Sequence, residues 1–190
     1  LYDIERRRIR RPDNVRMRLN RLERPEPWGG DIAKLIRDAF RPEAIQEYPD
    51  YAPFYSLLAN FLGVNENDLV IGLGSEEIIR TILLLSCKQG QSIVYTWPTC
   101  AMFDVYSQAL GLKPVRLTMN PYERTTVRDI IRVLDDQPLR PQLLLLPNPG
   151  QPVENCFTLP ELIELAKGCN LRNILLVIDE AYYHFGAPTA

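Results

Sequence analysis

The chain is poor in the residues that usually announce a metal or redox site. In 190 residues it has one histidine, His184, and four cysteines, Cys87, Cys100, Cys156 and Cys169. No two cysteines form a CxxC pair. A zinc site needs four clustered ligands at short spacings, and none is offered. Catalysis by a Cys/His pair would have to use His184, and no spacing supports it. There is no G-x-G-x-x-G fingerprint and no P-loop lysine, which weakens a generic nucleotide-binding reading. No run of eighteen apolar residues occurs, so no membrane-spanning helix is expected. Leu1–Arg24 lacks an apolar signal-peptide core, and the first residue is not Met. The simplest expectation is that the chain starts inside a larger reading frame. Unpaired thiols in such a chain point to a reducing, cytoplasmic compartment.

What is present is ordinary soluble-globular material. Hydrophobic residues make up 46% and charged residues 24%, with a mean hydropathy of -0.17. These values exclude a disordered tail, a collagen-like repeat and a disulfide-stapled miniprotein. The length suits one domain, or one and a fraction. Charge is unevenly placed. Residues 1–24 hold nine Arg against Asp3, Glu5, Asp13 and Glu23, while the remainder is net acidic. The stretch Arg6–Arg11 has two readings. It is a patch for nucleic acid or acidic lipid, or a solvated arm that packs on a partner. It lacks the interleaved aromatics that stack on bases, which favours the arm.

Periodicity alternates helix and strand. Helical spacing occurs over 31–40 with Asp31 as N-cap, 55–62, 75–87 with Ser75 as cap, 99–110, 127–134 and 159–166. In the last, Pro160 opens the helix and Gly168 follows its end. Short apolar runs predict strands at 68–71, 92–95, 114–117, 142–146 and 173–178. Alternation of this kind implies an α/β fold, a mostly parallel sheet with helices on both faces. The Pro-rich segment 24–28 marks the boundary between an N-terminal arm, residues 1–30, and the α/β domain, residues 31–190.

Ligands of such sheets bind beyond the carboxyl ends of the strands. Four loops stand there: 72–77, 96–100, 147–154 and 179–183. Gly72–Glu77 (GLGSEE) follows a predicted strand and opens a helix. It reads either as a phosphate cradle of free N–H groups or as a tight turn capped by Ser75. Asp179 ends the most apolar strand. It reads either as a partner for a bound cation or ligand, or as the cap of a turn.

Taken in order, the segments resemble the large-domain half of fold-type I pyridoxal-phosphate enzymes, most closely the histidinol-phosphate aminotransferase group. Residues 19–29 (LNRLERPEPWG) are similar to LNxNENPxG, and Tyr48-Pro49-Asp50 to YPD. Residues 71–79 (IGLGSEEII) resemble GNGSDEII, and 97–103 (WPTCAMF) resemble PTYxMY. Residues 148–154 (NPGQPVE) take the place of NPNNPTG, and 177–182 (VIDEAY) match VDEAY. The likeness spans residues 19 to 186, and the GSEE and DEAY segments carry most of it.

The resemblance implies a three-layer αβα domain, here incomplete, and the cofactor pyridoxal 5′-phosphate. It implies that Asp179 pairs with the protonated pyridine nitrogen and Tyr182 donates to the ring oxygen O3′. Gly74, Ser75 and Glu76 would bind the cofactor phosphate. Tyr48 would reach the phosphate of a neighbouring subunit, which makes a homodimer the expectation and recasts the Arg-rich start as an arm across that partner. Cys100 stands where the family usually stacks an aromatic ring, with Trp97 or Phe103 as substitutes. Gln151 replaces an Asn that supports O3′, and Val153-Glu154 replaces Thr-Gly. No metal, nucleic acid or membrane partner is implied.

The reaction also needs a Schiff-base lysine. Lys34, Lys88, Lys113 and Lys167 are the four in the chain. None sits in the family's Ser-x-x-Lys setting, so that lysine and the small domain are expected outside these residues, and the fragment alone is expected to be inactive. Three functions follow from the likeness. They are amino transfer between an amino acid or amino phosphate and a 2-oxo acid, decarboxylation of an amino-acid phosphate, and a non-catalytic module used for assembly or regulation.

Overall fold

The computed structural model describes residues 27–185. The Arg-rich run and most of the 19–29 segment therefore lie outside the described residues. The chain divides between Val70 and Ile71 into two compact units. The first holds two helices, α1 (Gly30–Ala39) and α2 (Ala52–Leu62). Gly29, not Asp31, is the N-cap of α1, and Asp31 sits in the first turn near the positive end of the helix. Helix α2 stops at Gly63, whose φ of 70° suits a residue without Cβ. Asn65 then closes a short turn by accepting the Asn67 N–H.

The second unit is a three-layer sandwich. Its elements are α3 (Ser75–Ser86), β1 (Ser92–Trp97), α4 (Ala101–Ala109), β2 (Lys113–Thr118), α5 (Val127–Asp135), β3 (Leu143–Pro147), α6 (Leu159–Leu171) and β4 (Leu175–Asp179). The strands are all parallel, in the order β2-β1-β3-β4. Strands β1 and β3 are buried on both faces, as their unbroken apolar sequences require. Ile93, Tyr95, Leu143 and Leu145 face α3 and α4, with Ile79, Leu83 and Phe103. Val94, Leu144 and Leu146 face α5 and α6, with Ile130, Leu134, Leu162 and Leu165.

The predicted strand at 68–71 does not form. Glu66–Asp68 is a turn of 3-10 helix, and Leu69–Ile71 joins no ladder of the sheet. Helix α6 runs past its predicted stop. Gly168 lies inside it, and a Cβ there would meet Ile131 Cδ1 at 2.5 Å. The glycine leaves room for the Ile131 side chain of α5 at a helix cost of about 1 kcal/mol. Cys169 is buried in the same core. The strand predicted over 173–178 begins later, because Asn173 turns the chain at φ 51°.

Polar groups fasten these layers. Arg172 grips Asp135 through two parallel bonds of 2.6 and 2.7 Å and donates to the Gly168 carbonyl at 2.9 Å. This fork ties the end of α5 to the end of α6. The buried Tyr95 hydroxyl donates to Asp104, which also accepts from Arg116 at 2.9 Å. Arg116 lies 4.5 Å above the Trp97 ring. Burial, then the Asp104 bond, pushes the Tyr95 phenol up to about 12. At α6, Thr158 and Glu161 form a capping box, and Arg124 adds a 2.6 Å bond to Glu161.

Arg124 and the Thr158 bonds hold the Glu161 carboxyl at about 2, below its ordinary 4.5. A depressed folded-state pKa stabilises the fold above the unfolded value and loses that effect as pH falls through the folded one. Acid unfolding should therefore steepen between about pH 4.5 and 2. Glu161→Gln should flatten that window in denaturant melts while leaving the profile above pH 6 parallel to wild type.

Candidate functional site

The topology decides where a site can form. From β1 the chain crosses through α4 to β2 on one side. From β3 it crosses through α6 to β4 on the other, with α4 and α6 on opposite faces. The carboxyl ends of β1 and β3 thus flank a switch point, where crossing loops diverge and leave a crevice. The loops at 97–100 and 147–158 and the end of β4 surround it.

Asp179 is the last residue of β4. Its backbone carbonyl accepts from the Asn148 N–H at 2.9 Å, which levels the ends of β3 and β4. Its carboxylate accepts one bond, from the Ala181 N–H at 3.1 Å. Burial raises the carboxyl above its ordinary 3.8, and the Ala181 bond opposes this in part. No cationic side chain stands beside it among the described residues. The turn-cap reading holds: Asp179 caps a turn through the Ala181 N–H, and its carboxylate has no counter-charge among the described residues.

Tyr182 follows on the same turn, its ring edge-on to Phe185 at 6.3 Å. Burial raises its phenol, and Cys100 and Asp179 push it the same way. Asp179 and Tyr182 lie three residues apart where the chain leaves β4. Cys100 is exposed and is the N-cap of α4. Nearby in sequence, the Thr96 and Thr99 hydroxyls are buried without a hydrogen-bond partner among the described residues. Phe103 does not face the crevice. It is fully buried against Tyr95, with ring centroids 6.0 Å apart. Trp97 carries Arg116 on its ring.

Gly74, at φ 83°, is the N-cap of α3, and Ser75 is its first helical residue instead of the cap. The Ser75 and Glu76 N–H groups have no acceptor among the described residues. Glu76 accepts from the Tyr106 hydroxyl at 2.9 Å, which ties it to α4. The acids Glu76 and Glu77 suit the positive end of the helix. Gln151 is exposed and makes no hydrogen bond among the described residues. Tyr48 is wholly exposed in the other unit.

Asn148 escaped the sequence reading as an individual residue. It is fully buried, accepting from the Phe157 N–H at 2.8 Å and donating to the Phe157 carbonyl at 3.4 Å. The Gly150 N–H donates to the Asn155 carbonyl at 2.8 Å, and a Cβ on Gly150 would meet the Val153 carbonyl at 2.8 Å. These contacts close the 148–157 loop against the end of β3. An Asn before Pro-Gly signals a turn, but not which distant backbone it will hold. Glu77 was also missed. It lies at the third helical position, where acids reach back to the preceding turn.

A carboxyl raised by burial costs stability once it ionises, so Asp179 should lower stability as pH rises from below 3.8 through its folded value. Asp179→Asn keeps an acceptor for Ala181 and removes the charge. Without added ligand, it should melt at a higher temperature than wild type at pH 7, with the difference vanishing near pH 3.

Comparison with known proteins places this geometry. The family model described as aminotransferase class I and II matches residues 30–190. A histidinol-phosphate aminotransferase of Thermoanaerobacter sp. (strain X514) is 27% identical over 176 residues, 92% of this chain and 49% of that protein. One from Synechococcus sp. (strain JA-2-3B'a(2-13)) is 32% identical over 149 residues, 75% of this chain and 40% of that protein. The chain spans about half the length of the curated relatives it matches. Among solved structures, the histidinol-phosphate aminotransferase of Sinorhizobium meliloti in complex with pyridoxal-5′-phosphate superposes with a TM-score of 0.70 at 21% identity, over 82% of this chain and 41% of that one. The N-succinyldiaminopimelate aminotransferase of Mycobacterium tuberculosis gives 0.70 at 20%, over 84% and 44%. At such identities the likeness is one of fold. The family match and the parallel αβα sandwich agree: the chain belongs to the class I and II aminotransferases.

Proposed function

We propose that this chain is the cofactor-binding part of a pyridoxal-phosphate-dependent aminotransferase of the histidinol-phosphate type. The observation that carries it is Asp179, a half-buried carboxylate with one backbone hydrogen bond and no cation beside it among the described residues. A protonated pyridine nitrogen is the charge it lacks. The residues present fit this cofactor in two further respects. Tyr182 lies three residues after Asp179 where the chain leaves β4, and Ser75 and Glu76 offer N–H groups without an acceptor among the described residues, at a helix start suited to a phosphate dianion.

When bound, the cofactor supplies an electron-withdrawing ring that takes up the charge left as a bond to the substrate's α-carbon breaks. Asp179 would keep the ring nitrogen protonated. Tyr182 would donate its hydroxyl to the ring oxygen O3′. Gly74, Ser75 and Glu76 would hold the phosphate, and Tyr48 would serve the site of a second subunit in a homodimer. Residues 1–30 would form the arm of that dimer. Cys100 would cover the ring with a small thiol, and Gln151 would need to swing inward to support O3′. Lys88, Lys113 and Lys167 are exposed, with Lys113 at the amino end of β2, away from the strand ends that flank the crevice. The lysine that binds the cofactor would be supplied outside these 190 residues. The substrates would be an amino acid or amino phosphate and a 2-oxo acid. Unpaired thiols suit a reducing, cytoplasmic compartment.

The loss of an aromatic residue at Cys100 and the exposure of Gln151 support a second reading, a non-catalytic module of the same fold. One experiment separates them. Pyridoxal phosphate added to the whole protein should produce an absorbance band that borohydride abolishes, and an amino donor with a 2-oxo acid should turn over. Asp179→Ala should lower turnover at least about a hundredfold, the scale of losing one partner of a reacting charge. No band and no turnover would leave the module reading.

A further inference from the structure

The first turn of α3 combines two features that conflict. It presents the N–H groups proposed to hold a phosphate dianion, and it carries two carboxylates, Glu76 and Glu77. Like charges at close range repel, and the repulsion grows where water is excluded. Both acids are held elsewhere. Glu76 accepts from the Tyr106 hydroxyl of α4 at 2.9 Å. Glu77 Oε2 reaches back over the turn and accepts the Leu73 N–H at 2.6 Å.

The Glu77 bond does more than park a charge. The turn from Gly72 to Gly74 is folded tightly on α3: the Gly74 N–H donates to the Gly72 carbonyl at 2.9 Å, and a Cβ on Gly72 would meet Ile78 Cδ1 at 2.6 Å. Gly74 holds φ 83°. Leu73, between them, has a side chain that is 90% exposed and provides no packing to fix the turn. Its N–H bond to Glu77 ties the tip of the turn to the helix. A charge-assisted bond this short is among the stronger of its kind.

We propose that Glu77 is a positioning residue of the phosphate cradle. Its carboxylate clamps the Leu73 amide, fixes the glycine turn, and leaves the Ser75 and Glu76 N–H groups aligned for a phosphate. Glu77 itself touches no phosphate oxygen. This rests on the cradle reading above, and the test keeps the two apart.

The measurement is the ratio of dissociation constants for pyridoxamine and pyridoxamine 5′-phosphate on the whole protein, followed by calorimetry. Neither probe needs a Schiff base, and the ratio isolates the phosphate contribution. Wild type should prefer the phosphate ester strongly. Glu77→Ala should lower the ratio about tenfold, the scale of one charged hydrogen bond, with the pyridoxamine constant changed less than twofold. Glu77→Gln retains an acceptor for Leu73 and should recover most of the ratio. If Glu77→Ala does not fold, Glu77→Asp replaces it: the arm is one methylene too short, and the ratio should fall with the charge retained. A ratio unchanged in the Ala or Asp variant, or both probes weakened in parallel, overturns the clamp. A wild-type ratio near one overturns the cradle reading instead.

Discussion

The structure depends on one constraint, the burial of β1 and β3 on both faces. Leu143–Leu146 and Ile93–Tyr95 expose at most 1% of their surface. Backbone groups so enclosed have no water to bond and must pair with each other. The pairing fixes register, with Ile93 against Leu143 and Tyr95 against Leu145, and β4 follows from Leu143 against Leu175 to Pro147 against Asp179. Strands locked in that register end level, and the loops at their ends share one crevice. The end of β4, where Asp179 stands, is placed by this register.

Against that frame the acids sort by their partners. Asp135 has Arg172, Glu161 has Arg124, and Asp104 has Arg116. Each of these pairs is partly exposed and fastens one element to another. Asp179 differs because burial raises its carboxyl and no cation answers it. A fold does not gain from such a group, since desolvating an unpaired charge is unfavourable. The Thr96 and Thr99 hydroxyls are likewise buried without a partner among the described residues.

The aromatic residues near Cys100 are committed elsewhere. Phe103 belongs to the core under α4, and Trp97 carries the Arg116 guanidinium that also holds Asp104. The network Tyr95–Asp104–Arg116–Trp97 braces the end of β1, so its aromatic surface is spent on positioning the loop. The crevice wall at Cys100 is correspondingly small and open.

Much of this was legible locally. The apolar runs at 92–95 and 142–146, the helical spacing at 127–134 and 159–166, and the order of the GSEE and DEAY segments fix an αβα domain and single out Asp179 and Tyr182. Those features depend on neighbours in sequence, and period and propensity encode them. Other outcomes depended on residues far along the chain. Leu69–Ile71 looks like a strand but joins no ladder. Gly168 looks like a helix stop but serves close approach to Ile131. Asn148 and Glu77 look like turn residues, yet one clamps Phe157 and the other Leu73. The sequence alone determined the fold class and the chemistry available to it. The tertiary structure decided which carboxylate lost its water and its counter-charge, because desolvation and partnership are set by what packs around a group in space.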